Sequence, residues 1–203
     1  MVSEKIDYRL IGGFLLAHIL LYFTFQDKNI FWYIFPASLL VLTIWTILHE
    51  DVDDRISFIR YISAGILSGL LLYGLFHLGN SLIHLFHLPL GDNIGRLYKW
   101  FAPEQFWQYI ALVLIAVPGE ELFWRGFIQK RILKRFPSFW SIVISAAMYA
   151  SVHLYSSEMI LVFAAFVSGI VWGLLFAWKR SIPLVIVSHL VFDLLLFILA
   201  PLY

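Results

Sequence analysis

The chain has 203 residues, is 62% hydrophobic and only 13% charged, and carries a net charge of +1; its mean hydropathy is +0.87. Soluble domains run at about 45–50% apolar and about 25% charged residues, so this chain has too little polar surface to cover a water-soluble globule and its solvent is mostly lipid. Cysteine is absent, which excludes disulfides, thiolate metal sites and a cysteine nucleophile together.

One membrane span needs roughly 20 apolar residues, so seven spans with short loops use nearly the whole chain. The expectation is an all-α, polytopic transmembrane helix bundle of about seven spans, forming a single membrane domain over residues 1–203. Lys5 and Arg9 precede a long apolar segment, as in a signal sequence. No small-residue cleavage pattern follows and further spans do, so the segment reads as a helix.

In chain order, span one covers about Tyr8 to Phe25 and span two about Ile30 to Leu48, with Pro36 in its first turns, where a lost hydrogen bond matters least. The charged run His49 to Arg55 forms a loop. Span three covers about Ile56 to Gly79, and a weaker apolar stretch through Leu88 extends it or dips into the interface. Pro89 to Pro103 reads as the longest polar connection, with Gly91-Asp92-Asn93 as its turn. Span four starts near Glu104 and passes through Pro118-Gly119, where a kink is expected. Beyond Gly126, apolar residues alternate with Lys130, Arg131, Lys134 and Arg135, the pattern of a helix lying at an interface. Spans five, six and seven are about Ser138 to Tyr155, Met159 to Trp178 and Ile182 to Leu202. Ala165, Gly169 and Gly173 recur every four residues in span six, and Gly65 and Gly69 in span three, which lets these helices approach neighbours closely.

With seven spans, Lys5, Arg9, Arg55, Arg60, the Lys130 to Arg135 cluster, Lys179 and Arg180 share one side, and only Lys28, Arg96 and Lys99 the other. The positive-inside rule then predicts a multi-pass integral membrane protein with a cytoplasmic N-terminus and an outside C-terminus.

Span four places Glu120, Glu121 and Arg125 where lipid or packed helices should be. Charge inside a membrane is costly and by default marks a bundle interior or a watery cavity. Glu121 and Arg125 are four apart with the acid first, the favourable order for a helical ion pair. Glu120 sits about 100° around the helix and has no partner in its own turn. That divides the labour into a structural Glu121–Arg125 pair and a chemical Glu120, free to act as general base or acid. Tyr149 and His153 lie one turn apart on span five, and His189 and Asp193 one turn apart on span seven. A polar site between spans four, five and seven is therefore expected, against the plainer reading that these groups staple helices together. At 1.5 Å per residue His153 stands up to two turns deeper than Glu120 and His189 from the basic side, which a later helix start or a tilt would close. His77, His84 and His87 form a rival cluster without a nearby carboxylate and read as packing or interfacial residues. No HExxH zinc helix, Gly-x-Gly-Asp or Gly-x-Ser-Gly motif occurs.

Glu120-Glu121-x-x-x-Arg125, Tyr149-x-x-x-His153 and His189-x-x-x-Asp193 resemble, in order, the EExxxR, FxxxH and HxxxN or HxxxD motifs of the CPBP family. These are the CAAX prenyl protease and bacteriocin-processing membrane peptidases, also called the Abi family. The resemblance covers residues 104–203; the first half matches only as generic apolar helices. It implies an intramembrane endopeptidase in which Glu120 with His153 activates a water, His189 and Asp193 stabilise the oxyanion, and Arg125 holds Glu121. Such peptidases have been read both as metalloproteases and as metal-independent glutamate peptidases. Tyr149 stands where the family has Phe. Asp193 stands where Asn is common, and an ionised carboxylate would repel an oxyanion. Asp193 must therefore be protonated, orient His189, or bind a divalent metal such as zinc together with Glu120, His153 and His189. The expected partners are a peptide or protein substrate, lipidated or not, and the bilayer; no nucleic acid is expected. The competing readings are a non-catalytic immunity or regulatory protein that keeps the motif as a polar core, and a proton or solute pathway.

Overall fold

The computed structural model describes residues 6–202, so Lys5 lies outside the described residues. It is an all-α bundle with no strand among the described residues. Six helices are long and apolar enough to cross a membrane: α1 (Tyr8–Gln26), α2 (Phe31–His49), α3 (Phe58–Leu85), α5 (Phe106–Ile132), α7 (Met159–Lys179) and α8 (Ile182–Leu199). Two shorter helices complete the fold, α4 (Gly91–Phe101) and α6 (Ser138–Val152). Local signals start the helices where the sequence places them. Asp7 accepts a hydrogen bond from the Leu10 amide at the head of α1, and Ser181 does the same for Leu184 ahead of α8, where Pro183 sits in the first turn.

The close glycine contacts give the directions of the helices. In α3, a Cβ on Gly65 would lie 2.7 Å from Val187, and one on Gly69 2.5 Å from the Ser188 carbonyl, so α3 and α8 pack in parallel with backbones nearly touching. In α7, a Cβ on Gly169 would meet Ala146 at 3.2 Å and one on Gly173 would meet Ile142 at 3.2 Å, an antiparallel pairing with α6. Parallel α3 and α8 require an odd number of crossings between them. The helix α6 must therefore count as one, beside α5 and α7. At 15 residues it spans roughly 22 Å, and the 3₁₀ turn His153–Ser156 adds about 8 Å, enough for a hydrocarbon core of about 30 Å. The starts of α1, α3, α6 and α8 thus share one face with the ends of α2, α5 and α7. We call it the basic face, because it also holds Arg55, Arg60, Lys130 to Arg135, Lys179 and Arg180.

Two local expectations are corrected and one alternative is decided. The connection from Pro89 to Pro103 is not a polar loop but contains α4, whose Tyr98 hydroxyl donates to the Leu196 carbonyl and accepts from the Leu202 amide. Of the two readings of the stretch through Leu88, extension holds: span three runs on as one helix to Leu85. The stretch beyond Gly126 does not lie on an interface: α5 continues inward-packed to Ile132, with Phe127 and Ile128 fully buried. Its cations are drawn down onto neighbouring acids. Arg131 pairs with Asp7 and Glu50, Lys130 with Asp53, and Lys134 with Glu50.

Candidate active site

Pro118 removes a backbone donor and crowds the preceding turn, and α5 responds by widening. Leu112–Ala116 and Leu122–Gln129 are π-helical, with five ordinary helical residues, Val117–Glu121, between them. Such π turns recur at functional sites, and here they bracket the acidic pair. The Val117 amide reaches back to the Leu112 carbonyl, so the helix is rebuilt around the proline rather than ended by it. Gly119 lets this strained segment sit against α2, where a Cβ would lie 3.1 Å from Leu39 and from the Thr43 hydroxyl.

Glu121 is fully buried, and its Oε1 accepts from Arg125 at 3.0 Å and from His189 Nδ1 at 2.7 Å. The Arg125 guanidinium also lies over the rings of Tyr149 (4.9 Å) and Trp172 (5.2 Å), as a desolvated cation over aromatic faces should. Trp172 in turn stacks on His189, with centroids 3.7 Å apart and planes 24° apart. The second histidine nitrogen, Nε2, stands 3.5 Å from Asp193 and 3.9 Å from Glu120. His189 is therefore held by Glu121 and the Trp172 ring, with Nε2 left facing Asp193 and Glu120.

Glu120 is held differently. Its Oε2 accepts from the Tyr149 hydroxyl at 3.2 Å, and no arginine or lysine pairs with it among the described residues. His153 caps α6, and its Nδ1 meets the Tyr149 carbonyl at 2.9 Å. A carbonyl can only accept, so Nδ1 carries the proton and the neutral ring keeps Nε2 as an acceptor. The depth mismatch between Glu120 and His153 narrows because α5 stays helical to Ile132, twelve residues beyond Glu120, so Glu120 lies deeper from the basic face than a helix ending near Gly126 would put it.

Glu120, Tyr149, His153, His189 and Asp193 converge on one cavity of about 160 Å³, and Ser168 is a further polar group in its wall. That is room for several waters. The remaining wall is apolar and aromatic and lies in the half of the bundle away from the basic face: Phe25 ends α1, Phe31 begins α2, Phe101 ends α4 and Phe197 is near the end of α8. Toward the basic face the site is closed by Phe123, Phe127, Ile128, Leu184 and Val185, each fully buried. His77, His84 and His87 do not line the cavity.

His189 and His153 use Nδ1 for Glu121 and the Tyr149 carbonyl, which leaves each Nε2 free, as metal-binding histidines also do. As the side chains stand, no group of three or more His, Asp or Glu among the described residues is close enough together to hold an ion. Sequence reasoning missed Trp172, whose role depends on which way α7 turns, and it missed that His189 shares Glu121 with Arg125. The four-residue step from Ser168 to Trp172 was the available signal.

Residues 102–195 match the family model described as type II CAAX prenyl endopeptidase Rce1-like. The match contains all three motifs and agrees with the resemblance drawn from them. No curated protein matches the chain.

Proposed function

We propose that this chain, whose motif-bearing half is of the CAAX protease family, hydrolyses a peptide bond inside the membrane with a water activated by Glu120 and His153. The observation that carries the reading is the contrast between the two adjacent glutamates. Glu121 is sealed in a dry ion pair with Arg125, whereas Glu120 pairs with no arginine or lysine among the described residues and faces a cavity shared with His153 and His189. A helix staple would use both acids as it uses Glu121.

The steps follow from the donors and acceptors. A water in the cavity gives one hydrogen bond to His153 Nε2 and its proton to Glu120. Its oxygen attacks the carbonyl carbon of the substrate. His189, held by Glu121 and the Trp172 ring, presents Nε2 toward the oxyanion and donates to it when that nitrogen carries a proton. Glu120 then returns the proton to the leaving amine as the C–N bond breaks. Asp193 acts as a charge beside Nε2, 3.5 Å away, rather than as a donor to the oxyanion. Tyr149 keeps the Glu120 carboxylate turned toward the cavity. The aromatic wall suits a substrate with an apolar or lipid-modified residue beside the cut bond.

The test is cleavage of a peptide library by the protein in liposomes. The Glu120→Gln variant should keep the fold and lose cleavage by about a thousandfold, in the middle of the 10²–10⁴ typical of a general base. Equal cleavage by both would end the peptidase reading, and loss of fold in Glu120→Gln would favour a structural role. The steps as proposed use no metal, so dialysis against a strong chelator should leave the rate within about twofold; a loss worth several kcal/mol of transition-state stabilisation would make a Lewis acid part of the site.

A further inference from the structure

We propose that His18 is a positioning residue for His153: through Ser151 and Tyr155 it clamps the end of α6, so that the His153 ring keeps its place in the cavity wall. What His153 does there rests on the peptidase reading. The clamp rests on geometry alone.

The chain around His153 shows why its position needs support. The residue closes α6, and its amide bonds the Ala150 carbonyl, three residues back. The chain then tightens into the 3₁₀ turn His153–Ser156, and Ser157 follows in the left-handed region at φ 62°. Helix ends leave their last carbonyls without helical partners and fray. The His153 ring is held to one of these carbonyls, that of Tyr149, at 2.9 Å. Among the described residues the ring has no other hydrogen bond. If the turn opens, Nδ1 loses its acceptor, and the ring is free to rotate and to exchange tautomers.

The support comes from α1. Phe14, His18 and Tyr22 lie one turn apart on one stripe of that helix, and Ser151 and Tyr155 lie two residues before and two after His153. His18 Nδ1 stands 2.8 Å from the Tyr155 hydroxyl, and Nε2 stands 3.2 Å from the Ser151 hydroxyl. The protons follow from the partners. Ser151 donates to the Met148 carbonyl at 2.7 Å, so toward His18 it can only accept, and Nε2 carries the ring proton. Nδ1 of the neutral ring then accepts from Tyr155. Tyr155, His18, Ser151 and the Met148 carbonyl thus form one unbroken chain in which each donor is used once. Rings meet it edge-on, Phe14 on His18 with centroids 4.5 Å apart and Tyr22 on Tyr155 at 5.4 Å.

Depth and placement favour this role over plain packing. His18 lies ten residues into α1, roughly 15 Å from the basic face. An ionisable side chain at such depth is costly and by default marks function. His18 does not line the cavity, so it acts through what it holds. Joining α1 to α6 would take one bond. His18 makes two, one to the last turn of α6 and one to the 3₁₀ turn, and together they pin the junction that carries His153.

The test reads the ring directly. Protein carrying isotope-labelled histidine is reconstituted in liposomes and read by nitrogen NMR, with the His153 signals identified by their loss in His153→Gln. Wild type should show a protonated Nδ1 and a bare Nε2. Tyr155→Phe and Ser151→Ala each remove one hydroxyl and keep the shape, whereas His18→Phe removes both links. Each should turn His153 into a mixture of tautomers and lower kcat several-fold, up to about tenfold for a lost hydrogen bond, with KM little changed. A single Nδ1-protonated His153 in all three variants, whatever their stability, would reduce His18 to a staple between α1 and α6 and overturn the proposal. A mixture already present in wild type, or unchanged kcat in all three, overturns it as well. The NMR arm needs no catalysis, so the two claims separate. Tautomer mixing in the variants without Glu120-dependent cleavage in wild type removes the peptidase and keeps the clamp. Cleavage with an unresponsive His153 ring keeps the peptidase and removes the clamp.

Discussion

At the residue scale, the Tyr149 hydroxyl is the difference between this site and the Phe the family motif carries there. Its bond to Glu120 is 3.2 Å long, an ordinary rather than a charge-shortened hydrogen bond, and such bonds contribute about 0.5–1.5 kcal/mol. Tyr149→Phe fills the same space, so it should fold normally and lower kcat by up to roughly 10-fold with KM little changed, read in steady-state kinetics. Equal kcat would mean that Glu120 needs no such tether. Arg125→Ala should behave oppositely, because it strands the buried Glu121 charge. Breaking a buried pair costs about 3–5 kcal/mol, so the variant should unfold at much lower temperature in detergent rather than fold and idle. The motif residues themselves were legible in the sequence, since intramembrane charge has few innocent explanations. Their partners were not. That His189 takes Glu121, and Tyr149 takes Glu120, depends on the rotation of three helices about their axes, which no single helix pattern encodes.

At the scale of elements, the small-residue spacings were the most informative part of the sequence. Gly65 and Gly69 do bring α3 against α8, and Gly69 touches the Ser188 carbonyl one residue before His189. Gly69→Ala should therefore push α8 away and cut both thermal stability and cleavage. Gly74→Ala, where a Cβ meets nothing within 4 Å, should leave both unchanged or gain slightly from helix propensity; equal effects of the two would show that the contact is not needed. The element that escaped the sequence was α4, because Gly91-Asp92-Asn93 has the composition of a turn and yet opens a helix. Its latch to α7 has a pH signature. The hydrogen bond from Arg96, against a smaller opposing effect of burial, holds Glu158 below the usual carboxylate range, with Asn93 and Lys28 adding to it. A depressed native pKa means that the unfolded chain binds the proton more readily. The latch therefore stabilises fully above the ordinary pKa of about 4.5 and loses its contribution as pH falls through the lower native value. Wild type should melt above Glu158→Gln at pH 7, and the gap should close toward pH 3; a gap independent of pH would mean that the pair is not the source.

On the scale of the whole molecule, the sequence motifs and the working site do not have the same extent. The motifs lie on α5, α6 and α8, within the half that resembles known peptidases, and the first half read only as apolar helices. Yet α1 and α2 supply Phe25, Phe31, Trp32 and Phe35 to the cavity wall, and α3 supplies Phe76. Those helices also hold the machinery in place. Gly119 rests on Leu39, Gly13 comes so close to Phe127 that a Cβ there would lie 2.7 Å from the ring, and Thr24 and Ser38 share a hydrogen bond at 3.1 Å that locks α1 to α2. Such long-range dependence is invisible to motif reading, because lipid-facing and cavity-facing aromatics look alike along a chain. Residues 104–203 expressed alone should therefore insert but show no Glu120-dependent cleavage. Co-expressed with residues 1–103, cut in the connection between α4 and α5, they should recover activity to within several-fold, since helices formed separately in a bilayer can associate by packing. Activity of the 104–203 fragment alone at the full rate would show that the first half is dispensable. Recovery only with both pieces would place the site in the packing of the two halves, with Phe101 of α4 joining the aromatic wall that Phe25 and Phe31 begin.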